Sequence, residues 1–154
     1  MTETPPDVIV IGAGVIGCSI AFHLAALGRP RVRVIDRLGI GAGTSAQSSG
    51  ILRTHYSVPQ NVELARRSFA AFEHFADHVG DAEADAGLVK CGYLIAAPEG
   101  PRLAALQAAL AQQQAMGIPL DRLDARQAAE RLPIARFDDA ALIGFEPEAG
   151  FADA

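Results

Sequence analysis

Only two cysteines occur in the 154 residues, and Cys18 and Cys91 form neither a CxxC pair nor part of a His/Cys cluster. That excludes a zinc-finger spacing and a dithiol redox motif. It predicts a reduced, cytoplasmic setting with both thiols as small buried side chains. Basic charge is also scarce: 13 Lys and Arg stand against 18 Asp and Glu, for a net charge of −5. The bases are dispersed without a stripe, so the electrostatic footprint of a nucleic-acid binder is missing. The opening MTETPPD carries two acids and no base, the reverse of what a secretion signal requires ahead of its apolar run. Half the residues are hydrophobic and 20% are charged, which is a globular composition.

One long stretch lacks formal charge altogether. From Val8 to Gly28 about twenty residues pass without Asp, Glu, Lys or Arg, the length that spans a bilayer. Its internal order points elsewhere. Val8–Ile11 are all β-branched and favour a strand, whereas Gly12, Gly14 and Gly17 fall where a strand would turn into a helix. The spacing predicts a helix from about Gly14 to Leu27, stopped by Gly28, and a second strand over Arg31–Asp36.

Strand, G-x-G-x-x-G, helix, strand and acid form the βαβ unit that binds dinucleotides. Gly12 permits the turn, Gly14 lets backbone approach a pyrophosphate, and Gly17 lets helix pack on sheet. The first helical N–H groups, at Val15 and Ile16, would face the phosphates. Asp36, about twenty residues beyond Gly17, would accept from ribose hydroxyls and repel a 2′-phosphate, which favours FAD or NAD over NADP. The alternative is a βαβ unit whose glycines serve packing alone.

Arg37–Arg53 reads RLGIGAGTSAQSSGILR, longer and richer in Gly and Ser than an ordinary βα connection. It is either a functional segment or a surface loop. Together, DVIVIGAGVIGCSIAFHLAALG, VRVIDR and GTSAQSSGILR, with CGYLIAA and EPEAGFADA more loosely, resemble a known family. This is the FAD-dependent amine and amino-acid oxidoreductases, which include sarcosine oxidase, dimethylglycine dehydrogenase, glycine oxidase and D-amino-acid oxidase. The resemblance implies that Arg37, Thr44, Ser45, Gln47, Ser48, Ser49 and Gly50 join Asp36 as cofactor contacts. Some members attach flavin covalently through a His in this loop; Gln47 stands there, which implies non-covalent FAD. Arg53, His55 and Tyr56, in ILRTHYS, would lie nearest the flavin ring. Arg53 would stabilise negative charge on reduced flavin or a substrate carboxylate, while His55 or Tyr56 would tune proton transfer. Each has a plain alternative as a loop residue bonded to solvent or backbone.

Further on, Val62, Ala65, Phe69, Phe72, Ala76 and Val79 recur at helical steps and predict one helix from about Asn61 to Val79. His74 and His78 have the i, i+4 spacing of metal ligands but lie off that stripe and lack an HExxH context, so no metal is expected. Val89–Ala97 reads as a strand and Arg102–Met116 as a helix with Leu103, Leu106 and Leu110 on one side. Asp124 followed by Gln127 is a variant capping box for a short helix that Pro133 stops.

The expected fold class is therefore α/β: a Rossmann-like FAD-binding βαβ domain over residues 1–85, followed over 86–140 by the start of an α+β substrate domain. Residues 141–154 would return toward the first domain. Two convincing parallel strands are too few for an open dinucleotide-binding sheet, so the fold is expected to be incomplete, with a complementing chain among the possible partners. Three functions stay open. One is an FAD-dependent oxidoreductase acting on a small amine or amino acid by hydride transfer to flavin; another is an NAD-dependent dehydrogenase; the third is a non-catalytic remnant or subunit. No nucleic acid and no membrane span are expected.

Overall fold

The computed structural model describes residues 5–29 and 31–152. Pro30 and the last two residues of the expected return segment 141–154 lie outside them. Contacts divide the chain into two compact units that meet in sequence at Ser49 and Gly50.

The first unit is the βαβ element. Strand β1 (Val8–Ile11) pairs in parallel with β2 (Val32–Ile35), Val8 opposite Val32, and helix α1 (Val15–Ala26) connects them. Asp7 and Arg31 form an ion pair where the two strands begin. A Cβ at Gly17 would stand 1.8 Å from Gly12 O and 3.5 Å from a Val10 methyl, so glycine alone lets α1 close on the end of β1. Helix α1 is largely apolar, with Ser19 and His23 its polar residues, and has no buried residue; Ile16 is 74% exposed.

The second unit begins with β3 (Ile51–Leu52), and then α2 (Pro59–Glu73) and α3 (Phe75–Val79) replace the single helix expected over 61–79. The break falls at His74, whose φ of −117° and ψ of 44° leave the helical region; no proline or glycine marks it. The stripe itself buries Val62 and Phe69. Strands β4 (Leu88–Val89) and β5 (Tyr93–Pro98) likewise replace the one strand expected over 89–97. Gly92 lies between them at φ +81°, and a Cβ there would strike the Phe145 ring at 2.2 Å.

Helix α4 (Pro101–Ala115) opens on proline, and β6 (Asp121–Leu123), which sequence pattern did not indicate, precedes α5 (Ala125–Arg131). The capping box at α5 is complete: Gln127 N–H donates to Asp124 Oδ1 at 2.7 Å, and Asp124 N–H donates to Gln127 Oε1 at 2.9 Å. Strands β7 (Ala140–Glu146) and β8 (Gly150–Ala152) close the unit.

Two antiparallel sheets result, ordered β3-β8-β4 and β5-β7-β6. Residues of β7 alternate between two cores. Leu142 joins Ile95, Ala97, Leu106 and Leu110 beneath α4, whereas Ile143 joins Leu94, Leu123, Ala128 and Phe137 beneath α5. Of the thiols, Cys18 is half-buried but Cys91 is exposed, contrary to the expectation that both are buried. It lies in the three-residue link 90–92 between β4 and β5, next to exposed Lys90.

Leu110 is 1% exposed at the centre of the α4 core. Leu110→Ala is expected to lower unfolding free energy by about 2–5 kcal/mol in urea denaturation. Asp124→Ala, which removes the α5 cap, is expected to cost about 1 kcal/mol by the same measurement.

Candidate functional site

In the first unit the chain turns at Gly12, with φ +103°, and α1 starts after Gly14, a cap residue with no side chain to satisfy the first N–H groups. Ser45 supplies that missing side chain: Val15 N–H donates to Ser45 Oγ at 2.9 Å. The N–H groups of Ile16 and Gly17 find no protein acceptor among the described residues, as helix geometry dictates for a first turn. No acidic residue occupies that turn, so its partial positive charge is uncompensated.

Asp36, just past β2, reaches back to the glycine turn immediately ahead of that helix start. Its Oδ2 accepts from Ala13 N–H at 2.9 Å, and its Oδ1 accepts from Leu38 N–H at 2.7 Å and Gly39 N–H at 3.2 Å. These donors, Ala13 foremost, hold the carboxyl below its ordinary 3.8, and nearby Arg37 acts in the same direction. Gly41 N–H adds a bond to Ala13 O at 2.8 Å. The Gly/Ser segment is therefore fastened to the glycine turn at Ala13 and Val15.

Thr44, Gln47, Ser48 and Ser49 are exposed, and the segment continues in turns, with Gln47 N–H donating to Thr44 O and Ser48 N–H to Ser45 O. Gly50 belongs to the second unit, where its carbonyl accepts from Ala152 N–H at 2.9 Å.

Arg53, His55 and Tyr56 also belong to the second unit, and each has a defined neighbour. Arg53 donates to Tyr93 OH at 2.6 Å, and its guanidinium lies 4.9 Å from the Tyr93 ring centre and 5.5 Å from that of Tyr56. His55 Nδ1 lies within hydrogen-bond distance of the side-chain amide of Gln113, which is fully buried. Burial lowers the His55 pKa below its ordinary 6.5; the Gln113 hydrogen bond opposes this and the Arg53 charge reinforces it. Between them, buried Thr54 donates through both N–H (2.7 Å) and Oγ1 (2.6 Å) to Glu146 Oε1. Glu146 is 2% exposed, and its Oε2 has no hydrogen-bond partner among the described residues.

A cavity of about 580 Å³ opens beside this segment, lined by Arg53, His55, Tyr56 and Arg102 together with apolar Ile95 and Leu106. Its size and mixed lining suit a small organic anion. Sequence pattern had not indicated Thr54, Tyr93, Gln113 or Glu146. Gln113 left one trace: it continues the 103, 106, 110 stripe of α4 and is the one polar residue there.

Over residues 7–154 the chain matches the DAO family, described as FAD dependent oxidoreductase. The chain belongs to this family of FAD-dependent oxidoreductases. It is 26% identical over 144 residues to the mitochondrial pyruvate dehydrogenase phosphatase regulatory subunit of Mus musculus, a match that covers 92% of the chain and 16% of that protein. Among solved structures it is similar to glycine oxidase from Bacillus cereus ATCC 14579, with a TM-score of 0.79 at 26% identity over 97% of the chain and 40% of that structure. The fold also matches L-proline dehydrogenase from P. horikoshii, with a TM-score of 0.85 at 23% identity over 99% of the chain and 39% of that one. The chain thus spans less than half the length of each.

Membership identifies the cofactor as FAD and sets the nicotinamide alternative aside. The first unit fits a dinucleotide on its own geometry. The helix start offers N–H groups without protein acceptors, no acid stands there to repel phosphate, and at Gly14 even a Cβ would press to 3.0 Å of Ser45 Oγ. Among the described residues, no helix is long and apolar enough to cross a membrane, and no group of His, Cys, Asp and Glu is arranged to hold a metal.

The pH dependence of the first unit follows from Asp36. Because its folded pKa lies below 3.8, the stabilisation it provides is complete above that value and disappears as pH falls through the depressed folded one. Thermal midpoints measured across the acid range should fall less steeply in Asp36→Asn than in the wild type. For His55, an NMR titration should give a midpoint below 6.5.

Proposed function

We propose that the chain forms part of a flavin-dependent oxidoreductase that oxidises the C–N bond of a small amine or amino acid resembling glycine, sarcosine or dimethylglycine. Membership of the FAD-dependent family and likeness to a glycine oxidase support this reading. The observation that carries it is the convergence of Asp36, on Ala13 N–H, and Ser45, on Val15 N–H, at the glycine turn that opens α1.

Gly12, Gly14, Gly17 and the N–H groups of Val15 and Ile16 would hold the pyrophosphate, with Ser45 moving from its capping bond to share in that contact. Asp36 and Arg37 would take the ribose, and Thr44, Gln47, Ser48, Ser49 and Gly50 would follow the rest of the cofactor. With Gln47 where some relatives carry a flavin-linking His, attachment is non-covalent. Bound FAD supplies the hydride-accepting chemistry of C–N oxidation.

The chain's own residues act on the substrate. Arg53 uses one N–H on Tyr93 and keeps further donors for a substrate carboxylate. His55, its pKa lowered by burial, is largely neutral at neutral pH and can take the proton of a substrate ammonium, with Tyr56 beside Arg53. Parallel strands are ordinarily covered on both faces, yet Ile9 is 53% and Ile11 89% exposed. On this reading a further stretch of polypeptide covers β1 and completes the cofactor and substrate sites.

A second reading, that of a flavin-binding subunit without turnover, is favoured by the likeness to a regulatory subunit. FAD retained after desalting, read by visible absorbance, tests the cofactor assignment. Gly14→Val and Asp36→Ala should each weaken retention about tenfold or more. Flavin binding that neither substitution weakens would sink the assignment. An amine screen then separates the two readings, since a bound flavin that no amine reduces would favour the subunit.

A further inference from the structure

Three consecutive residues, Arg53, Thr54 and His55, are each held by a side chain from a different element. Tyr93 comes from β5, Glu146 from β7 and Gln113 from α4. The first two are not independent. Tyr93 and Glu146 are register partners across the β5-β7 ladder, so the group that receives Arg53 and the group that receives Thr54 stand side by side on one face of one sheet.

Thr54 is 7% exposed, and both of its donors converge on a single oxygen, Glu146 Oε1. A bond from the backbone N–H fixes where the main chain runs, and the bond from Oγ1 fixes the side-chain rotamer. Together they leave the Cα of Arg53 little freedom. Among the described residues the Arg53 guanidinium is bound by one hydrogen bond and two ring contacts, which an exposed arginine of the same length would readily exchange for water.

From this juxtaposition we propose that Glu146 is a positioning residue: through Thr54 it holds the 53–55 segment so that the Arg53 guanidinium is presented at the cavity in one orientation. The proposal rests on the reading of Arg53 as the anchor of a substrate carboxylate. A bidentate arginine–carboxylate pair has a planar geometry, and an arginine held in that plane beforehand binds without a further ordering cost. Glu146 touches no substrate; its effect passes through Thr54 to Arg53.

The test uses the full chain with acetate as the carboxylate probe and reads the Arg53 Nε–H resonance by NMR. In wild type and Glu146→Gln, which retains an acceptor oxygen, that resonance should be resolved, slow to exchange and shifted by acetate. In Thr54→Val, which removes Oγ1 with little change of shape, and in Glu146→Leu, the Arg53 Nε–H should exchange faster. The acetate dissociation constant should rise about tenfold in both. Glu146→Leu is the more disruptive change, and Thr54→Val provides the same reading if that variant fails to fold.

Unchanged Arg53 exchange and acetate affinity in Thr54→Val and Glu146→Leu, with only the Thr54 amide losing protection, would overturn the proposal and leave Glu146 a structural clamp. Faster Arg53 exchange in those variants, with acetate binding to none of the proteins, would uphold the positioning and instead overturn the carboxylate reading of Arg53.

Discussion

A carboxylate buried on a strand requires donors, and in Glu146 that requirement joins residue 54 to residue 146. Much of the second unit is arranged around this junction. Strand β7, which carries Glu146, is the central strand of its sheet, with β5 on one side and β6 on the other. Its alternating residues supply both hydrophobic cores. The segment after β3 is drawn onto the α4 side of that sheet because Thr54 can satisfy Glu146 only there. Leaving a buried acid without Thr54 would cost more than the pair contributes when formed, so the constraint acts chiefly against alternative packings.

The first unit solves a different problem. A helix that begins at a glycine has no side chain of its own to cap its first turn, and residues far along the chain answer that need. Ser45 caps Val15, Asp36 takes Ala13, and Gly41 binds the Ala13 carbonyl. A long Gly/Ser segment, which composition alone would describe as loose, is thereby tied to the turn it follows. The hydrogen bonds explain how it is kept in place.

Much of this was legible in the sequence, for identifiable reasons. The βαβ unit declared itself because β-branched runs, glycine spacing and a terminal acid are local signals that agree with one another. The α5 capping box was equally local, needing only Asp124 and Gln127. The breaks at His74 and Gly92 were missed because apolar periodicity continues across both, and the close approach of Phe145 that demands a glycine at 92 is visible only in three dimensions. Strand β6 was missed because its DRL sequence has no strand character of its own and is recruited by pairing with β7. At the site, Arg53, His55 and Tyr56 came from resemblance, whereas Tyr93, Gln113 and Glu146 lie forty or more positions from their partners. No spacing rule reaches that far.

The pairing of His55 with Gln113 carries a consequence for acidification. The imidazole Nδ1 lies 3.1 Å from the amide oxygen and 3.0 Å from the amide nitrogen. An amide is ambivalent: half a turn about its last torsion exchanges acceptor for donor while the outline of the group stays the same. Whichever state the ring adopts, Gln113 can answer it without displacing α4. Protonation of His55 would then be mechanically silent, altering the charge beside Arg53 while the surrounding packing keeps its shape.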